Sequence, residues 1–169
     1  MLVTALLLTA CQAESIPSVA APTLPDTRSL EIAVPNEGRD QVSTGAAITY
    51  RHYPPASGPY YPEVIQYGLY ETDVPEGYWV HILERGGIVF LYKCAGDCSV
   101  LKKQIGDLLD TVPLSKHNTA KLVIVPYQNM PHFITAVAWD VQMPLDQFDA
   151  RLLTAFYAAH VDKGLEDAP

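Results

Sequence analysis

The chain is 169 residues long, 49% apolar, and carries a formal net charge of -8 from 19 acidic and 11 basic side chains. That length supports one domain with a core of its own. Scattered Lys and Arg under a negative balance exclude the basic stripe that nucleic acid or anionic headgroups require.

The first residues form an uncharged apolar stretch that runs into Leu8-Thr9-Ala10-Cys11, the pattern at which bacterial lipoproteins are cleaved and acylated. Small side chains at Thr9 and Ala10 give a peptidase access to the backbone, and the Cys11 thiol takes the lipid. Residues 1–10 are thus expected to be a signal peptide. The mature chain is expected at the cell membrane, on its extracytoplasmic face, lipid-anchored through Cys11. Two or three acyl chains hold a protein on a bilayer at about 0.8 kcal/mol per buried methylene. A signal peptide opens with positive charge, and no Lys or Arg precedes Arg28, so the translation start is expected upstream of Met1.

Residues 11–33 read as a lipid-anchored flexible tether, aperiodic and broken by Pro17, Pro22 and Pro25. Residues 34–169 read as a single domain. Its first part, to Pro75, is rich in Pro, Gly and Tyr, notably Pro54-Pro55-Ala56-Ser57-Gly58-Pro59-Tyr60-Tyr61-Pro62. Such a stretch is no helix and a poor central strand. Its rings still bury substantial area, so an ordered wrapping segment is expected.

Regular structure is expected from Tyr78. The apolar segment Trp79–Leu83 leads through Glu84-Arg85-Gly86-Gly87 into Ile88–Tyr92, which reads as a buried strand, and His81 is placed at a strand end. The two glycines allow a bulge or a close backbone approach. Ser99 opens a helix with Val100, Leu101, Ile105, Leu108, Leu109 and Val112 on one face, ended by Pro113. Two strands, 121–127 and 133–143, are joined by a short polar link that predicts an antiparallel hairpin. The last helix has Asp146 at its cap, Phe148, Leu152, Leu153 and Phe156 on one face, and Gly164 as its stop. The order predicts an α+β fold, a small antiparallel or mixed sheet with two helices packed on one face, preceded by the Pro/Tyr-rich wrap.

Of three cysteines, Cys11 belongs to the lipid site, leaving Cys94 and Cys98. In an oxidising compartment two such neighbours form a disulfide. The sharper alternative is a Cys-x3-Cys copper or redox pair.

The wrap motif 54–62, with Val80-His81-Ile82-Leu83-Glu84 and Ala138-Trp139 in this order, resembles an uncharacterised bacterial family, domain of unknown function 3105, over about residues 36–165. Its members tend to be secreted, lipidated or anchored by one helix. The family pattern carries His where this chain has Gln41, Tyr60 and Arg85, and only His81 is kept. Histidines converging from a wrap and a strand end would suit copper or zinc. A positive Arg85 and the loss of three imidazoles imply a member whose site is reduced. Equally, those histidines would be hydrogen-bonding residues whose space Tyr60 and Arg85 fill.

The candidate metal ligands are therefore His81, with His52 as the residue best placed to approach it, and Cys94 with Cys98. No cofactor is required, copper being the one alternative. His117, His132 and His160 stand at no ligand spacing. Catalytic residues are not expected: Ser57 lacks a nucleophile elbow, and Glu84 beside Arg85 suggests an ion pair. Ten tyrosines, most between 50 and 92, suggest a surface for a protein partner, with part of them covering the sheet. The expected function is a membrane-anchored, non-catalytic binding or accessory protein of a membrane complex, with no nucleic acid partner and with metal binding as the alternative.

Overall fold

The computed structural model describes residues 23–169. The expected signal peptide, Cys11 and the expected tether up to residue 22 lie outside the described residues. The fold is α+β: a six-stranded mixed sheet with three helices. In chain order the strands are β1 (Ile32–Ala33), β2 (Gly68–Leu69), β3 (Ile88–Tyr92), β4 (Leu122–Pro126), β5 (Ile134–Ala138) and β6 (Val141–Leu145). The helices are α1 (Glu76–Glu84), α2 (Ser99–Gly106, continued by a 3-10 turn to Asp110) and α3 (Ala150–His160). Across the sheet the order is β1-β6-β5-β3-β4-β2.

Every residue of β3, β4 and β5 is buried, as it must be where both faces of a sheet are covered. Ile88, Phe90, Leu122, Ile124, Ile134 and Ala136 face α2 and α3. Val89, Leu91, Val123, Val125 and Val137 point the other way, against Trp79, Val80, Ile82 and Leu83 of α1 and against Tyr50 and Ala56 of the wrap. The expected pair of helices thus shares one face. The opposite face holds a third helix that sequence periodicity missed.

That helix replaces the strand end expected at Trp79–Leu83. Pro75 precedes it and fixes its own φ at -54, and Glu76 sits in the positive first turn. A helix buried nearly all round shows no polar stripe, so a five-residue apolar run carries no helical period. Gly86 at φ +73 ends it, with the Gly87 N–H donating to Ile82 O and the Gly86 N–H to Leu83 O, a Schellman cap. The glycine pair is a helix stop, and a close approach as well.

The hairpin expected between 121–127 and 133–143 is also corrected. β3 lies between β4 and β5, parallel to the first and antiparallel to the second. The link arches over the end of β3, where the Tyr127 N–H donates to Tyr92 O and the Lys93 N–H to Phe133 O. Two strand spacings are about 10 Å, which a short link spans without strain. The real hairpin is β5–β6, turned at Trp139-Asp140 with Asp140 at φ +60.

Three local expectations shift in smaller ways. Val100 is 70% exposed and leaves the buried face of α2. The edge strand β1, paired antiparallel to β6, lies within the stretch expected as tether. Asp149, not Asp146, caps α3, accepting from the N–H groups of Arg151 and Leu152. Asp146 pairs with His132 at 2.9 Å instead. Asp149→Ala should therefore lower stability by about 1 kcal/mol, read as a urea midpoint, while Asp146→Ala changes it little. Equal losses would return the cap to Asp146.

Cys94 and Cys98 form a disulfide. It closes the turn between β3 and α2. With the two sulfurs joined neither is a thiolate, so the pair is no copper ligand set in this state.

Candidate functional site

The wrap is ordered by its own backbone. Gln41 and Tyr60 form a parallel bridge, and the Tyr61 N–H donates to Gly77 O in the first turn of α1. Tyr50 donates to Pro59 O at 2.7 Å, and the buried Ser57 hydroxyl accepts the Glu37 N–H at 3.0 Å, a structural use of that serine. These bonds seat Tyr60 flat on the His81 ring, with centroids 4.5 Å apart and planes 29° apart. Arg85 follows His81 by one helical turn, the spacing that places two side chains on one face. Gln41, Tyr60, His81 and Arg85 therefore lie in one region, as the motif comparison implied.

Two residues of this region were not foreseen. The C-terminal tail returns across the end of α1, where the Leu165 and Glu166 N–H groups both donate to Glu84 O. This brings the Glu166 carboxylate beside His81 and Glu84, so that one ligating atom of each lies within 4.8 Å of the others. From the wrap comes Arg39, 3.5 Å from Glu84 Oε1. The expected Glu84–Arg85 pair does not form. Arg85 instead donates to Glu166 at 3.0 Å and to Pro169 O at 3.1 Å.

Burial governs the electrostatics. It raises the Glu84 pKa above its ordinary value, with the neighbouring Glu166 charge adding and Arg39 and Arg85 opposing. Burial likewise lowers the His81 pKa, favouring neutral imidazole, while the polar backbone of Glu63 beside the ring opposes and Arg85 adds. His81 is 6% exposed and Glu84 2%. Nδ1 of His81, Oε2 of Glu84 and Nε of Arg85 are all buried with no hydrogen-bond partner. Three buried polar atoms without a hydrogen-bond partner at one helix end are uncommon in a folded domain.

His52 does not join them. Its Nδ1 lies 2.8 Å from Glu37 Oε1, and Glu37 also accepts the backbone N–H groups of Arg51 and His52. Burial pushes the Glu37 carboxyl up, but these bonds together outweigh it and its pKa ends below the ordinary 4.5. A depressed carboxylate stabilises the fold above that value, and the contribution is lost as pH falls through the folded pKa. Glu37→Gln should cost on the order of 2 kcal/mol at neutral pH, and the gap to wild type should close on acidification, measured by urea unfolding. A gap independent of pH would contradict this. The other histidines also meet acids: His117 with Asp167, His132 with Asp146 and His160 with Glu31.

Residues 41–169 match the model of a family described as "Protein of unknown function (DUF3105)". The chain is a member of the DUF3105 family. No curated protein and no solved structure matches it. The match begins at Gln41, so in this DUF3105 protein it takes in Tyr60, α1 and the tail that carries Glu166, while Arg39 lies just outside it. The residues gathered at the end of α1 thus come almost wholly from the family domain. Sequence could have flagged His81 through its motif, but nothing in period or spacing links Glu166 to α1.

Proposed function

We propose that this protein is a lipid-anchored, extracytoplasmic binding subunit that presents its DUF3105 domain to a partner at the membrane surface, without catalysing a reaction. The observation that carries this reading is the Leu8-Thr9-Ala10-Cys11 sequence followed by a Pro-broken tether. The Cys94–Cys98 disulfide fits an oxidising compartment. Among the described residues no helix is long and apolar enough to cross a membrane.

β1 is an edge strand of the sheet. Beside it runs a groove lined by Ile32, Val34, Arg51, His52, Tyr53 and Gln142. Ile32 is 52% and Tyr53 42% exposed. An aromatic and an aliphatic side chain beside an open strand edge are suited to a protein segment. A photo-crosslinker in place of Tyr53, activated in intact membranes, is expected to give one discrete protein adduct. A ladder of unrelated adducts, or none, would contradict the docking role.

A further inference from the structure

We propose that His81, Glu84 and Glu166 form a binding site for one divalent cation of the zinc class, and that the ion takes Glu166 from Arg85. This is independent of how the chain is held at the membrane. The cluster has three ligating side chains from two elements, brought together by the tail's bonds to Glu84 O. More than nine-tenths of His81 and Glu84 is buried, and each carries an unpartnered polar atom. A buried imidazole nitrogen and a buried carboxylate oxygen left without a partner are costly unless something else satisfies them.

The ligand types select the ion. An imidazole nitrogen is a good ligand for zinc and its neighbours but a poor one for calcium or magnesium, and no thiolate or thioether stands among the three to favour Cu(I). One His and two carboxylates make a three-ligand set of the kind that leaves a fourth position on zinc open to water. Tetrahedral zinc at about 2.0–2.2 Å from each donor needs donors about 3.4 Å apart. Atoms now within 4.8 Å reach that spacing by side-chain rotation, and the Glu166 carboxylate, 45% exposed, is the one free to move.

Two guanidinium groups already balance the carboxylates, Arg39 at 3.5 Å from Glu84 and Arg85 at 3.0 Å from Glu166. Arg39 is 60% exposed and swings away at little cost. Arg85 is the real competitor, only 17% exposed and bound also to Pro169 O. Removing it should therefore tighten metal binding, an effect opposite in sign to that of removing a ligand.

The test is calorimetric titration of ZnCl2 into the full-length protein in detergent, with CaCl2 and MgCl2 as controls. One zinc per chain is expected at this site, weakened at least about tenfold, or about 1.4 kcal/mol, by Glu166→Gln and by His81→Ala, and strengthened by Arg85→Ala. Glu166 is exposed, so its variant stays folded even where His81→Ala does not. Zinc that binds Glu166→Gln as tightly as wild type sits on another histidine–carboxylate pair and overturns the site, as does an absence of zinc binding. An Arg85→Ala affinity no higher than wild type overturns the competition.

Discussion

Lys121→Met is expected to cost the fold about 3 kcal/mol and to free the C-terminal tail. Lys121 stands just before β4 and is 1% exposed, among the largest fully buried side chains. Its ammonium donates to Arg85 O, to Ala168 O at 2.9 Å and to Asp162 Oδ1 at 3.3 Å. One cation thus ties the C-cap of α1 to both ends of the tail. Methionine keeps the volume of the stem and removes all three bonds. Two carbonyls then lose their donor, and the Asp162 carboxylate keeps only its bond from the Lys116 N–H. Breaking a buried pair from one side typically costs 3–5 kcal/mol, and the lower end applies because Asp162 reaches solvent. Urea unfolding gives the energy, and trypsin cleavage after Lys163 in the folded state reports the freed tail. A loss under about 0.5 kcal/mol with Lys163 still protected would show that the tail is held without Lys121.

Gly164→Ala is expected to act on the same joint through space rather than charge. A Cβ at Gly164 would stand 2.1 Å from Gly86 N, 2.4 Å from Glu84 O and 2.6 Å from Gly86 Cα. All three are backbone atoms of the cap that ends α1, so none can rotate away. The tail must lift, and the bonds from the Leu165 and Glu166 N–H groups to Glu84 O lift with it. Overpacking costs 1–3 kcal/mol where side chains absorb it, so about 3 kcal/mol is expected here. Leu165→Ala, at a side chain 51% exposed, is the control and should change little. Equal midpoints for Gly164→Ala and wild type would mean that the two backbones do not pack this closely.

Both substitutions reach the site, because Glu166 is delivered by the tail they release. This explains which parts of the molecule were legible in sequence. Ile88–Tyr92 reads as a buried strand because its short apolar run is rich in β-branched and aromatic residues and follows a glycine pair. The amphipathic stripe of α2 was visible in Leu101, Ile105 and Leu108, and the Cys94–Cys98 disulfide followed from spacing and the expected compartment. Where burial is complete the pattern vanishes, and α1 went unseen because Trp79, Val80, Ile82 and Leu83 are all 0% exposed. Strand order was misread for a related reason, since a short link between β4 and β5 fixes only how far apart they lie, not whether β3 runs between them. At the site His81 was found through its motif. Glu166 and Arg39 were not, because each arrives from a segment without regular structure, positioned by backbone bonds that no side-chain pattern encodes.

In the proposed function Cys11 alone ties the domain to the membrane, and the mass of the mature N-terminus checks this. Protein extracted from membranes and digested should yield an N-terminal peptide that begins at Cys11, carries a diacylglyceryl group on its sulfur and lacks everything before it. Cys11→Ser should abolish that peptide. A mature chain that retains residues 1–10 with an unmodified Cys11 thiol would contradict the lipid anchor, and with it the membrane-bound function proposed here.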